Sequence, residues 1–164
     1  MKKKLRFAKV RDVKSPEYGT SKSAGIDFFV PNDFKPTIVL KHSDLLIPSG
    51  IKTDIPEGFM LLGADKSGVV TSRYAYNRTD RQPKPTAFPS PVIIGAKVID
   101  EDYQGELHIH IINAGTEPII IKPGMKIAQF ILVPVEYAKL EEVPEPELFT
   151  ETTERGGGGF GSTN

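Results

Sequence analysis

The chain closes on "ERGGGGFGSTN", Glu154 to Asn164, with four consecutive glycines between an arginine and a phenylalanine. Glycine lets a backbone approach a ligand closely and adopt positive φ, so successive N–H groups can converge on one anion. Arg155 adds a planar fork suited to phosphate oxygens. Phe160 adds a flat face on which a base can stack, worth about 1–3 kcal/mol. Immobilising some ten such residues costs roughly 1–2 kcal/mol each in backbone entropy. Stacking alone does not offset that, so the expected behaviour is a loose segment that closes only over a highly charged ligand. Phosphate loops usually lead into a helix whose N-terminus holds the anion. None follows in this sequence. An unstructured solubilising tail accounts for the same composition.

Four further stretches carry chemistry-bearing residues. "VIDEDYQGE", Val98–Glu106, places three acids at a turn before the alternating run "LHIHIIN". Such acids usually solvate a turn; a catalytic reading needs one aimed inward as a general base or a ligand to metal-bound water. Strand alternation would set Asp100 and Asp102 on one face and Glu101 on the other. "GADKSGVV", Gly63–Val70, joins a cation, a hydroxyl and a permissive backbone at Lys66, Ser67 and Gly68, without the spacing of a P-loop. Asp27 lies inside the apolar run of "SAGIDFFVP" and, if buried, needs a partner. Gln129 is the one polar amide of "PGMKIAQFILVP", where a satisfied buried amide is the simpler account. His108 and His110, at i and i+2 on one strand face, have metal-binding spacing but no third ligand completing a site, which favours a half-exposed polar face.

The elements that must position these residues read as β. Gly and Pro number 15 and 14, spread along the chain. Between them lie "KLRFAKV", "IDFFV", "TIVL", "FMLL", "LHIHIIN", "PIIIK" and "IAQFILVPV", short β-rich runs that predict an all-β sandwich or barrel. One or two helical turns are expected near Val69–Tyr76. Two stretches break the rhythm: Thr71–Pro91, polar and proline-rich, expected as a long surface loop, and the acidic, then glycine-rich segment from Glu141, with little to bury. The expected organisation is one domain over residues 1–140 and an arm over 141–164.

Charge is balanced, 21 basic against 21 acidic residues, which argues against bulk electrostatic binding of nucleic acid. Without cysteine there is no disulfide framework, CxxC zinc site or thiol nucleophile. "MKKKLRFAKV" lacks the apolar core and cleavage site of a signal peptide, and no run reaches membrane-spanning length. A soluble cytoplasmic protein is expected.

Taken in order, "AGIDFF", "DKSGVV", "VIDEDYQGE", "GMKIAQ" and "RGGGGFGST" resemble the five motifs of the homotrimeric dUTP diphosphatases, from about residue 23 to the last. That resemblance implies a β-jelly roll assembled as a trimer, with active sites shared between subunits and a C-terminal arm reaching a neighbour's site. It implies hydrolysis of dUTP to dUMP and pyrophosphate with Mg2+ held mainly by the triphosphate, a reaction that lowers dUTP and supplies dUMP. By motif position, Asp100 matches the acid that activates the attacking water, and Tyr103 the ring packed on deoxyribose. Lys97, Val98 and Ile99 match the hairpin edge that pairs with uracil. Lys66, Ser67, Gly68 and Gln129 match phosphate-side groups, and Asp27 an acid touching the metal through water. Arg155 matches a γ-phosphate ligand, Phe160 a cover over uracil, and Gly161, Ser162 and Thr163 closing contacts on the phosphates.

The chain departs from that pattern in places. Lys66 and Lys126 stand where arginine is usual, keeping charge but losing the bidentate fork, and Lys97 replaces a common glycine. Asp100 follows Ser67 by 33 positions, nearly twice the usual separation, the excess being Thr71–Pro91. That insertion could be disordered, a lid, or a docking surface for another protein. Two alternatives stay open: a dCTP deaminase (or bifunctional enzyme) of the same fold, in which a catalytic glutamate belongs where His110 stands, and a regulatory trimer that binds a partner through the insertion.

Overall fold

In the computed structural model the described residues are 3–71 and 88–158. Twelve strands are described: β1 (Arg6–Lys9), β2 (Glu17–Tyr18), β3 (Gly25–Phe29), β4 (Thr37–Val39), β5 (Asp44–Pro48), β6 (Ile51–Asp54), β7 (Phe59–Ala64), β8 (Val92–Ile94), β9 (Val98–Ile99), β10 (His108–Asn113), β11 (Ile119–Ile121) and β12 (Lys126–Pro134). Helix is confined to one turn, α1 (Ser67–Val70), and a 3-10 turn at Glu145–Glu147. The all-β expectation holds, and each of the seven apolar runs contains a strand. α1 begins two residues before the expected start; residues 72–76 of that expectation lie outside the described set.

A five-stranded sheet in the order β2-β3-β12-β7-β9 and a three-stranded sheet β5-β10-β8 carry most of the pairing, with the two-stranded ribbons β1-β6 and β11-β4 beside them. The pairings are antiparallel throughout. Alternation decides what is buried: Ile109 and Ile111 of β10 and Ile119 and Ile121 of β11 point into the core while their neighbours do not. Phe28 and Phe130 meet edge to face at its centre, ring centroids 4.7 Å apart. Asn113, fully buried, closes one end: its Nδ2 donates to the carbonyls of Val39, Leu40 and Glu117, and its Oδ1 accepts from Gly115 N–H.

Two sequence expectations need correction. The turn after β9 does not continue as a strand, because Tyr103 N–H folds back to Asp100 O; strand alternation therefore does not sort Asp100, Glu101 and Asp102. The proline-rich stretch also ends inside the core. Phe88 and Ser90 are buried, and Ser90 Oγ both donates to Glu117 O and accepts from Glu117 N–H, each at 2.8 Å. Residues 72–87 lie outside the described set.

Core packing sets the first test. Phe130→Ala should cost about 3–5 kcal/mol, read from chemical denaturation at fixed protein concentration. Lys41→Ala, on an exposed turn, should stay within about 0.5 kcal/mol.

Candidate functional site

Strand pairing lines up the first polar group. Glu17, Asp27, Gln129 and Ala64 form one row across β2, β3, β12 and β7. Asp27 is the buried carboxylate, its side chain 4% exposed, and each of its oxygens accepts from one lysine: Oδ1 from Lys66 Nζ and Oδ2 from Lys126 Nζ, both at 2.8 Å. Lys66 arrives from the turn into α1, where it is the residue preceding Ser67. Lys126 arrives through a register shift in β12. Lys126 pairs with Phe29 and Ala128 with Phe28, leaving Ile127 as an extra residue. In a regular ladder, residues three apart point to opposite faces; the bulge turns Lys126 onto the face of Gln129 and Asp27.

Burial by itself would raise the Asp27 pKa. Hydrogen bonds and charge from Lys126 and Lys66 together outweigh it and hold the carboxyl below its ordinary value. One carboxylate against two ammonium groups leaves this cluster with net positive charge. Gln129 is fixed beside it, Nε2 donating to Asp65 O at 2.9 Å, and a Cβ on Gly25 would collide with its side-chain oxygen. Ser67 and Gly68 are exposed at the start of α1, with open space above Gly68.

The second group lies beyond β7, on β9 and the turn after it. Leu46, Ala96, Val98, Ile99, Asp100, Tyr103 and His108 line a cleft of about 190 Å³. Its edge is held by β7: Leu61 pairs with Ile99, Leu62 with Val98, and Gly63 N–H donates to Lys97 O at 2.6 Å. Tyr103 OH donates to Glu106 O at 3.0 Å. Glu106 is itself anchored, its Oε1 accepting from Arg11 Nε and Gly50 N–H. Glu101 faces away from this work: it accepts from Gly58 N–H at 2.6 Å, and its hydrogen bond raises the pKa of Tyr137 at the root of the arm. Asp100 is exposed at the cleft.

The first four motif segments thus fall into two groups: Asp27, Lys66, Ser67, Gly68 and Gln129 in one, Lys97, Val98, Ile99, Asp100 and Tyr103 in the other. None of the first group lines the cleft. Arg155 stands apart from both, its Nε donating to Gly158 O. Phe160, Gly161, Ser162 and Thr163 lie outside the described residues. His108 and His110 share a strand face but serve different partners, His108 Nδ1 meeting Glu106 O and His110 Nε2 meeting Asp44 Oδ2, both at 3.0 Å. Among the described residues no three His, Cys, Asp or Glu side chains gather as a metal cage, and no helix is long and apolar enough to cross a membrane.

Sequence reasoning passed over Asp65, Glu106 and the bulge at Ile127. Asp65 sits inside "GADKSG" and ties the first group to β8, its carbonyl holding Gln129 and its Oδ1 accepting from Ile94 N–H. Acids that bond backbone leave no pattern that distinguishes them from solvated ones.

Known proteins resemble this chain in sequence and in fold. The dUTPase family model matches residues 89–164. A deoxyuridine 5'-triphosphate nucleotidohydrolase of Chlamydia pneumoniae is 38% identical over 148 residues, 90% of this chain and 89% of that protein. The chain belongs to the dUTPase family. A second such relative, from Fusobacterium nucleatum subsp. nucleatum, is 33% identical and covers 98% of both chains. Among solved structures, the dUTPase of Staphylococcus bacteriophage 80alpha with dUpNHpp superposes with a TM-score of 0.76 at 23% identity, over 99% of both chains. The dUTPase of S. aureus phage phi11, described as carrying a species-specific insert, does so with 0.68 at 22% identity, over 90% of this chain and all of that one. These likenesses show that the fold is that of the dUTPases.

The Asp27 cluster fixes an acid dependence. A depressed carboxyl pKa stabilises the folded state above the ordinary value near 3.8, and that contribution is lost as pH falls through the lower folded-state value. Urea midpoints of the wild type should therefore drop below about pH 4. Asp27→Asn should be less stable near neutrality, where its two lysines face no charge, and should lose part of that acid slope. Parallel wild-type and variant profiles would show that Asp27 titrates normally.

Proposed function

We propose that the protein is a dUTP diphosphatase, cleaving dUTP to dUMP and pyrophosphate by attack of water on the α-phosphorus. The observation that carries this reading is the cleft: an exposed carboxylate, an aromatic ring and a free strand edge meet in a space of nucleoside dimensions. Val98, 58% exposed, and Ile99, with Lys97 before them, present backbone to a uracil. Tyr103 supplies the wall against the deoxyribose. Asp100 orients the water and takes its proton, the one step that needs a base.

Charge neutralisation and positioning do the rest. Lys66, Ser67, Gly68 and Gln129 are the phosphate-side donors, and Lys126 joins them through the carboxylate it shares with Lys66. Arg155, with Phe160, Gly161, Ser162 and Thr163, closes over the nucleotide. Mg2+, held mainly by the triphosphate, would neutralise phosphate charge there. Asp27 would meet its water shell through the lone pairs that the lysines leave free.

Assembly follows from the separation of the two groups. The cleft does not include the cationic cluster, and the segment from Glu136 to Gly157, which leads into the arm, is exposed except at Val143, leaving Tyr137, Leu140, Leu148 and Phe149 uncovered. A homotrimer in which neighbouring subunits complete each site, with the arm (141–164) crossing between them, accounts for both features. Residues 1–140 are the domain, and a partner protein that docks on the insertion 71–91 would have to spare its buried end at Phe88 and Ser90. The deaminase alternative lacks its glutamate, because His110 occupies that position and already bonds Asp44.

Pyrophosphate release should be seen with dUTP and Mg2+ and be far weaker with dTTP, dCTP or UTP. Asp100→Asn should lower kcat by about 10²–10⁴ while nucleotide affinity holds; retained turnover would remove it as the base. Truncation before Arg155 should leave a folded trimer, sized by sedimentation, with kcat lower by about 10²–10³. A truncated chain that fails to assemble would place the arm within the core assembly instead.

A further inference from the structure

We propose that His110 is a positioning residue for base recognition, holding the strand edge that meets the uracil. The proposal rests on the reading of Val98–Ile99 as that edge. His110 lies on β10, half-buried, and reaches the segment between β8 and β9 in three ways. Its Nδ1 accepts from Ala96 N–H at 3.1 Å. Its backbone carbonyl accepts from Gly95 N–H at 2.9 Å. Its ring lies against the Cα of Gly95 so closely that a Cβ there would overlap Nδ1 and Cε1, and only glycine gives the ring that seat.

The chemistry of the ring follows from its partners. A nitrogen that accepts from an amide carries no proton, so the ring proton sits on Nε2 and is donated to Asp44 Oδ2, 3.0 Å away. Asp44, on β5, thereby selects the tautomer that can grip Ala96. Ala96 lines the cleft together with Val98 and Asp100. One residue further on, Lys97 O is taken by Gly63 N–H. Ala96 N–H and Lys97 O are thus tied by opposite sides of the molecule, β10 and β7, and the edge beyond them has little freedom to slide. A binding edge that reads a base by backbone groups must be fixed before the ligand arrives, since each freed dihedral lowers affinity and blurs discrimination.

The test compares His110→Leu, which keeps bulk but lacks an acceptor, with His110→Asn, whose Oδ1 can replace Nδ1, and with Asp44→Ala. For the wild type and each variant, KM and kcat for dUTP, the ratio of kcat/KM for dUTP to that for dTTP, and amide hydrogen exchange at Ala96 would be measured. The expected result for His110→Leu is a KM higher by about threefold to tenfold, the loss of one hydrogen bond, with kcat within about twofold, a lower dUTP:dTTP ratio and faster exchange at Ala96. His110→Asn should recover most of the KM and the slow exchange, and Asp44→Ala should shift in the same direction as His110→Leu by less. Unchanged KM, selectivity and Ala96 exchange in His110→Leu would overturn the proposal. So would an effect of equal size in His110→Asn, or a loss confined to kcat and thermal stability. If the wild type fails to hydrolyse dUTP, the reading of the edge falls, and Ala96 exchange alone then reports whether His110 still holds that segment.

Discussion

A single, almost fully buried carboxylate organises the polar half of this molecule. Asp27 sits in the middle of β3 between the core residues Ile26 and Phe28, and an ionised group there is tolerated only if charge comes to it. Two lysines do so from different directions, one from the turn that follows β7, one from a bulge in β12. The strands that frame the cationic cluster are therefore bound to it by electrostatics as well as by ladder hydrogen bonds. Lysine suits this arrangement. A compact ammonium can satisfy one oxygen each, whereas two planar guanidinium forks would compete for both.

The neighbouring cleft is built on the opposite principle, from backbone rather than charge. Its edge, Val98–Ile99, belongs to a two-residue strand that pairs on one side only. Tyr103 and Asp100, which line the cleft beside it, both come from the turn that follows. Glu106, Glu101 and Asp65 serve this region as backbone acceptors, each carboxylate receiving at least one amide N–H. Acidic side chains near the exposed Asp100 repel it in principle; spent on N–H groups, they brace the surrounding backbone instead.

Much of this was legible in the residues. The long β-rich runs became strands because period-two burial of Ile, Val and Phe leaves little choice of partner, and Asp27 announced itself as an acid amid apolar neighbours. The chemistry of β9, by contrast, could not be read from pattern, because two residues show no period. Nor could the bulge at Ile127, which follows from which side of Asp27 remained uncompensated and so depends on the pairing of β3 with β12. The proline-rich stretch misled at its end: Phe88 and Ser90 read as loop by composition, yet a buried phenylalanine and a serine bonded to Glu117 anchor that end of the segment. His110 read as an ordinary alternating polar residue, since its acceptor role depends on a glycine fifteen positions earlier in the chain.

Strand β7 touches both regions within four consecutive residues, Leu61 and Leu62 facing β9 while Gly63 and Ala64 face Phe130 and Gln129. In the proposed assembly the nucleobase grip and the phosphate grip of one polypeptide serve different substrate molecules. The strand would then be a shared axle between adjacent reaction centres. Any coupling between them would have one continuous β-ladder to travel along, with no separate effector pocket required.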